Sequence, residues 1–175
     1  MTIETCVDLG GYFRSLLLAA MRNQHVTAAP ETADYVTGVL TTCTLRQRAD
    51  FLDRPLVMIL DEALASPEPA RAVALQSVGD GALCMSGLFG DNVTRRQLDP
   101  GLFVRVGSFA YREAATLARE AAGTEPVALV ELGEQFPRFV DVLSEVAEAQ
   151  ALGTVTKSIV ALYDRFKRAD SQRAA

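Results

Sequence analysis

Asp80, Cys84 and Ser86 fall within one stretch, SVGDGALCMSGLFGD, at residues 77–91. A carboxylate, a thiol and a hydroxyl set among glycines admit two kinds of chemistry. The first is a glycine loop wrapped around a phosphate. Gly79, Gly81 and Gly87 do not fit G-x-G-x-x-G, and no lysine follows as a P-loop requires. Both motifs also need a preceding strand, whereas Ala70-Arg71-Ala72-Val73-Ala74-Leu75 favours helix. The second is a helix that carries polar groups toward a ligand or a partner. On a helix, Val78, Ala82, Met85, Phe89 and Val93 make one stripe and Leu75, Gly79 and Ser86 another. A helix apolar most of the way round must be surrounded by others.

Asp80 then needs company. A buried, unpaired carboxylate costs several kcal/mol, so it must be paired, hydrogen-bonded or protonated. The expected partners are Arg14, Arg105, Arg112 or the free N–H groups of another helix start. In a closed core Asp80 is a structural lock. Beside a cavity, Asp80, Cys84, Ser86, Tyr111 and Arg112 become the polar groups of a ligand site. The glycines are expected to mark close helix crossings, with Gly79 and Gly87 on the central helix and Gly107 on its neighbour.

Elsewhere the sequence offers little catalytic machinery. His25 is the single histidine, near the end of the first helix, where a solvated role is expected. One histidine supports neither a di-iron pair nor a zinc site, and no G-x-S-x-G elbow is present. The carboxylates Asp61/Glu62, Glu131/Glu134 and Asp141/Glu145/Glu148 read as solvated faces. Cys6, Cys43 and Cys84 form no CxxC pair, and each lies among apolar residues as a small free hydrophobe. No metal, no cofactor and no catalytic set are expected.

The elements that would position these residues are helical. Phe13, Leu16, Leu17, Ala20 and Met21 predict a first helix over about 9–24, and Pro30 opens a second that carries Tyr35, Val36, Val39, Leu40 and Cys43. Asp53 is the expected cap of a third helix and Ser66 of a fourth, the central buried one over about 70–90. Asp99-Pro100 begins a fifth that Gly123 ends. Pro126 restarts the chain, and Pro137 is expected to kink or split the next segment. No stretch alternates as a strand does. The expectation is an all-α, single compact bundle of about six to eight helices over residues 1–175, its last few residues frayed.

The pattern Gly79-Asp80-x-x-Leu83-x-x-Ser86-Gly87-x-Phe89, followed by Gly107-x-x-Ala110-Tyr111, resembles a family of small bacterial all-helical proteins with no assigned activity. The likeness runs from about Tyr12 to Glu120. It departs at Gly101-Leu102-Phe103, where the family pattern has an aromatic pair. It implies an all-α fold and brings no activity.

Composition sets the outer limits. At 175 residues, 49% of them hydrophobic, the chain can bury a core. A net charge of −5 argues against non-specific nucleic-acid binding. Apolar runs fall short of a membrane span, and the N-terminus lacks a signal-peptide pattern, so a cytoplasmic protein is expected. From Lys157 onward the chain carries a net +3 against −8 for the rest. Ile159, Leu162, Tyr163 and Phe166 there form an apolar face beside basic residues, suited to docking in cis or in a partner. Two functions are expected on this basis. One is a non-enzymatic bundle acting through protein contacts, as a homodimer, regulator or adaptor. The other is a small-molecule binding protein with its site near Asp80.

Overall fold

In the computed structural model, residues 9–45 and 54–153 are described. Phe13, Leu17, Ala20 and Met21 recur along one face of α1 (Leu9–Asn23) and are buried there, as helical periodicity requires. His25 comes next at φ 54°, exposed, in the left-handed region. Pro30 opens α2 (Pro30–Leu45), where its missing N–H costs nothing. Thr37, Thr41 and Thr44 donate their hydroxyls to the carbonyls one turn back, so these three side chains of α2 are satisfied within the helix.

Pro55 precedes α3 (Leu56–Ala65); Asp53, the expected cap, lies outside the described residues. Ser66 does not cap the next helix. Its hydroxyl donates to Glu62 O at 3.1 Å and its N–H to Ala63 O, so it closes α3 instead. Pro67 and Pro69 between Ser66 and the next helix have no N–H for it to cap. The central helix, α4 (Ala70–Gly87), buries Leu75, Val78, Ala82, Leu83 and Met85 on several faces. It ends at Gly87, earlier than its apolar stripe predicts, and a single short helix, α5 (Gly90–Arg95), carries Val93 back into the core.

Asp99 caps α6 (Pro100–Ala122) by accepting from Gly101 N at 2.9 Å. Gly123, at φ 68°, returns its N–H to Arg119 O at 2.8 Å, the left-handed ending only glycine adopts cheaply. The stretch Val127-Ala128-Leu129-Val130 opens α7 (Val127–Glu134). The chain breaks at Gln135 and resumes as α8, residues 136–153, with Pro137 in its first turn.

The result is an all-α bundle, eight helices and no strand among the described residues. α4 lies along α6 at its centre, with Tyr111, Phe13, Phe136 and Phe139 among the largest buried side chains. Side chains fasten the helix ends across the bundle. The Glu131 carboxylate of α7 accepts from Ala29 N at 2.9 Å and from the buried Thr32 hydroxyl, placing negative charge at the α2 N-terminus. Glu131 is therefore half-buried and structural, not part of a solvated face. Arg138 of α8 donates to Gln24 O and His25 O, tying down the end of α1. Among the described residues no helix is long and apolar enough to cross a membrane. Cys6, Ile159, Leu162, Tyr163 and Phe166 lie outside them.

Candidate functional site

Residues four apart on a helix share a face. Gln76, Asp80 and Cys84 make such a row on α4, and Tyr35, Val39 and Cys43 make one on α2. The two rows lie side by side and run in the same direction. At one end, Tyr35 donates its hydroxyl to Asp80 Oδ1 at 2.6 Å, and Gln76 Nε2 donates to the Tyr35 oxygen at 2.9 Å. From α6, Tyr111 donates to the same Asp80 Oδ1 at 2.8 Å. One half-buried carboxylate thus joins three helices.

Gly79 explains how Tyr111 reaches it. A Cβ at residue 79 would stand 2.7 Å from the Tyr111 ring, so the missing side chain is the seat of that ring. Tyr111 is fully buried, edge-on to Tyr35 at 6.4 Å between ring centroids. Burial pushes the Tyr35 hydroxyl well above the ordinary tyrosine value, and the Asp80 charge and hydrogen bond push it further. Its contacts with Gln76 and Tyr111 offset part of this rise. Tyr35 is a held proton donor here, never a base.

The other end of the two rows is covalent. Cys43 and Cys84 form a disulfide, their Cα atoms 6.5 Å apart across α2 and α4. This corrects the expectation of free thiols. Spacing along the chain gave no CxxC pair, but the crossing of two helices brings together cysteines 41 residues apart. A loop of that length adds roughly 4 kcal/mol in the chain-entropy account of disulfide stabilisation. Val39, Tyr35 and Leu88 pack around the pair.

Between the rows lies an open pocket of about 310 Å³. It is lined from α2 by Asp34, Tyr35, Gly38, Val39, Thr42 and Cys43 and from α4 by Gln76 and Asp80. Asp34, itself largely exposed, forms an ion pair with Arg14 of α1. The volume is at the lower end of the range for small-molecule sites, about 300–1,000 Å³.

Of the residues expected to build a ligand site, the structure brings together Asp80, Tyr111 and Cys84. Only Asp80 lines the pocket; Tyr111 supports it from behind, and Cys84 is 1% exposed within the disulfide. Ser86 and Arg112 point elsewhere. Ser86 donates to Ala82 O of its own helix at 2.7 Å, and Arg112 Nε donates to Gly133 O at 3.1 Å. Arg14 pairs with Asp34 and Arg105 with Asp99, so the side chains that fix Asp80 Oδ1 are tyrosines, not the expected arginines.

The three glycines differ in what they admit. A Cβ on Gly107 would meet the Phe136 ring at 2.2 Å and Ala82 Cβ at 3.0 Å, whereas one on Gly87 would meet Leu143 Cβ at 2.4 Å. Gly107 therefore sits where α6 crosses α4 under an aromatic ring from α8, and Gly87 seats α8 itself.

Tyr35, Gln76, Asp34 and Cys43 are the site residues that sequence reasoning missed. Two rows of period four, each ending in a cysteine, are the signal that could have found them. His25 stays in solvent, away from this site. Glu145 accepts from Asn23 Nδ2 at 2.6 Å and Gln24 Nε2 at 2.8 Å, and these bonds, Asn23 first, hold its carboxyl below the ordinary glutamate value.

Comparison with protein-family models, with curated proteins and with solved structures finds no match for this chain.

Proposed function

We propose that this protein is a non-enzymatic binding protein whose ligand is a small hydrogen-bond-donating cation, held in the pocket between α2 and α4. One observation carries the reading: Asp80, fixed by two tyrosine hydroxyls, lines an open pocket instead of a closed core. A carboxylate restrained in this way loses little freedom on accepting another donor, which is the benefit of preorganisation. The exposed Asp34 is already paired with Arg14, and Gln76 and Thr42 add neutral polar groups. Val39 supplies an apolar wall for a short carbon chain.

The test is a thermal-shift panel of small organic ammonium and guanidinium compounds, matched carboxylic acids and neutral sugars. Cations should raise the melting temperature and acids should not, with the rise abolished in Asp80→Asn. A flat panel, or a rise that Asp80→Asn leaves unchanged, refutes the proposal.

The second reading is a protein that works through contacts with another chain, as a dimer or an adaptor. Val57 and Met58 of α3 and Val73 of α4 are 55%, 55% and 66% exposed, and they favour it. Singly exposed apolar residues are common on monomers, however, so this reading ranks below the pocket. Native mass spectrometry separates the two, because it reports subunit number and retained ligand together. A cytoplasmic setting belongs to the proposal as well. In that compartment thiol buffers favour the reduced form of Cys43 and Cys84.

A further inference from the structure

We propose that Gly38 sets the breadth of the molecule taken by the pocket between α2 and α4, a role that rests on the reading of that pocket as a cation site. Its missing side chain admits a branched or cyclic carbon skeleton beside the ammonium group, which a side chain there would exclude. The ligand class narrows accordingly, to bulky alkylammonium ions in place of slender ones.

Glycine inside a helix destabilises it relative to alanine, so its presence calls for a reason in packing or in backbone shape. Gly79, Gly107 and Gly133 have such a reason. A Cβ there would stand 2.7, 2.2 and 2.7 Å from the Tyr111 ring, the Phe136 ring and the Arg112 side chain. Gly38 has neither reason. It lies in the middle of α2, its backbone is not left-handed, and nothing stands within 4 Å of the place its Cβ would take. The missing side chain leaves only space, and that space opens on the pocket that Gly38 lines.

The place of Gly38 in the α2 wall makes that space count. Tyr35, Val39 and Cys43 form the inner row of the wall, and the more exposed Asp34, Gly38 and Thr42 form the outer one. Gly38 is a gap of one side chain in the outer row, with a neighbour about 6 Å along the axis on either side. Side chains on a helix lean toward its N-terminus. A larger residue at position 38 would therefore lean over the end of the pocket where Tyr35 meets Asp80. The selection is steric and independent of the charge that Asp80 presents.

The experiment titrates the full-length parent, Gly38→Ala and Gly38→Leu with methylammonium and with cyclohexylammonium, followed by nuclear magnetic resonance. Alanine and leucine are stronger helix formers than glycine, so both variants should melt no lower than the parent. Methylammonium should bind all three proteins alike. Cyclohexylammonium should bind the parent more tightly than methylammonium does, and Gly38→Leu about tenfold more weakly than the parent, with Gly38→Ala between them. Cyclohexylammonium binding that Gly38→Leu leaves unchanged, or a loss equal for the two ions, overturns the role of Gly38 and leaves the cation site standing. A Gly38→Ala protein that melts below the parent overturns that role too, because residue 38 would then be packed. If neither ion binds the parent, the cation site fails and the role of Gly38 fails with it.

Discussion

The hydroxyls of Tyr35 on α2 and Tyr111 on α6 converge on a single oxygen, Asp80 Oδ1 of α4, at 2.6 and 2.8 Å. Two donors on one acceptor fix the side chain's direction more firmly than either alone, because satisfying both leaves one rotamer. The carboxylate is thereby a joint among α2, α4 and α6 and, at the same time, a wall of the pocket.

Asp80→Ala should leave two hydroxyls without their acceptor and lower stability by about 1–3 kcal/mol, since an unsatisfied buried donor carries its full desolvation cost. Asp80→Asn keeps an acceptor oxygen but loses the charge that strengthens both bonds, so a smaller loss of about 1 kcal/mol is expected. Urea unfolding measures both. Variants that both match the parent would show that Asp80 does not lock the helices.

Alkali should weaken the fold through Tyr35. Its proton is held more tightly in the folded state than at the ordinary tyrosine value of 10.0. Stability is therefore intact below that value and declines as pH rises above it toward the raised folded value, because only the unfolded chain releases the proton there. Ultraviolet titration should find Tyr35 ionising well above the ordinary tyrosine value or only with unfolding. In Tyr35→Phe the alkaline loss of stability should be reduced.

Two glycine substitutions should have opposite signs. Gly107→Ala puts a Cβ 2.2 Å from the Phe136 ring and 3.0 Å from Ala82 Cβ, and overpacking of this kind costs about 1–3 kcal/mol. Gly38→Ala, in the middle of α2 with nothing within 4 Å of the new Cβ, should instead gain about 0.5–1 kcal/mol from helix preference. Melting temperatures of the two proteins decide it. Were Gly107→Ala the more stable, α6 would not cross α4 closely at that point.

The amino-acid sequence by itself determined the helices, because their signals are local. Apolar residues at helical spacing, Asp99 and Pro100 at one end of α6 and Gly123 at the other act over one or two turns. A residue's neighbours four positions away decide such features, and no fold is needed to read them. It likewise indicated that the helix bearing Asp80 is central, since too little of that helix is polar to face water.

Only the tertiary structure decided what Asp80 touches. Its tyrosine partners lie 45 and 31 positions away, and Cys43 lies 41 from Cys84. Which rows of side chains meet depends on the direction and crossing of whole helices, a property no local window carries. The same reason moved Ser66 from one helix to another and took Glu131 out of solvent to the start of α2. Charged and polar side chains advertise a need for a partner, but the packing of the helices chooses it.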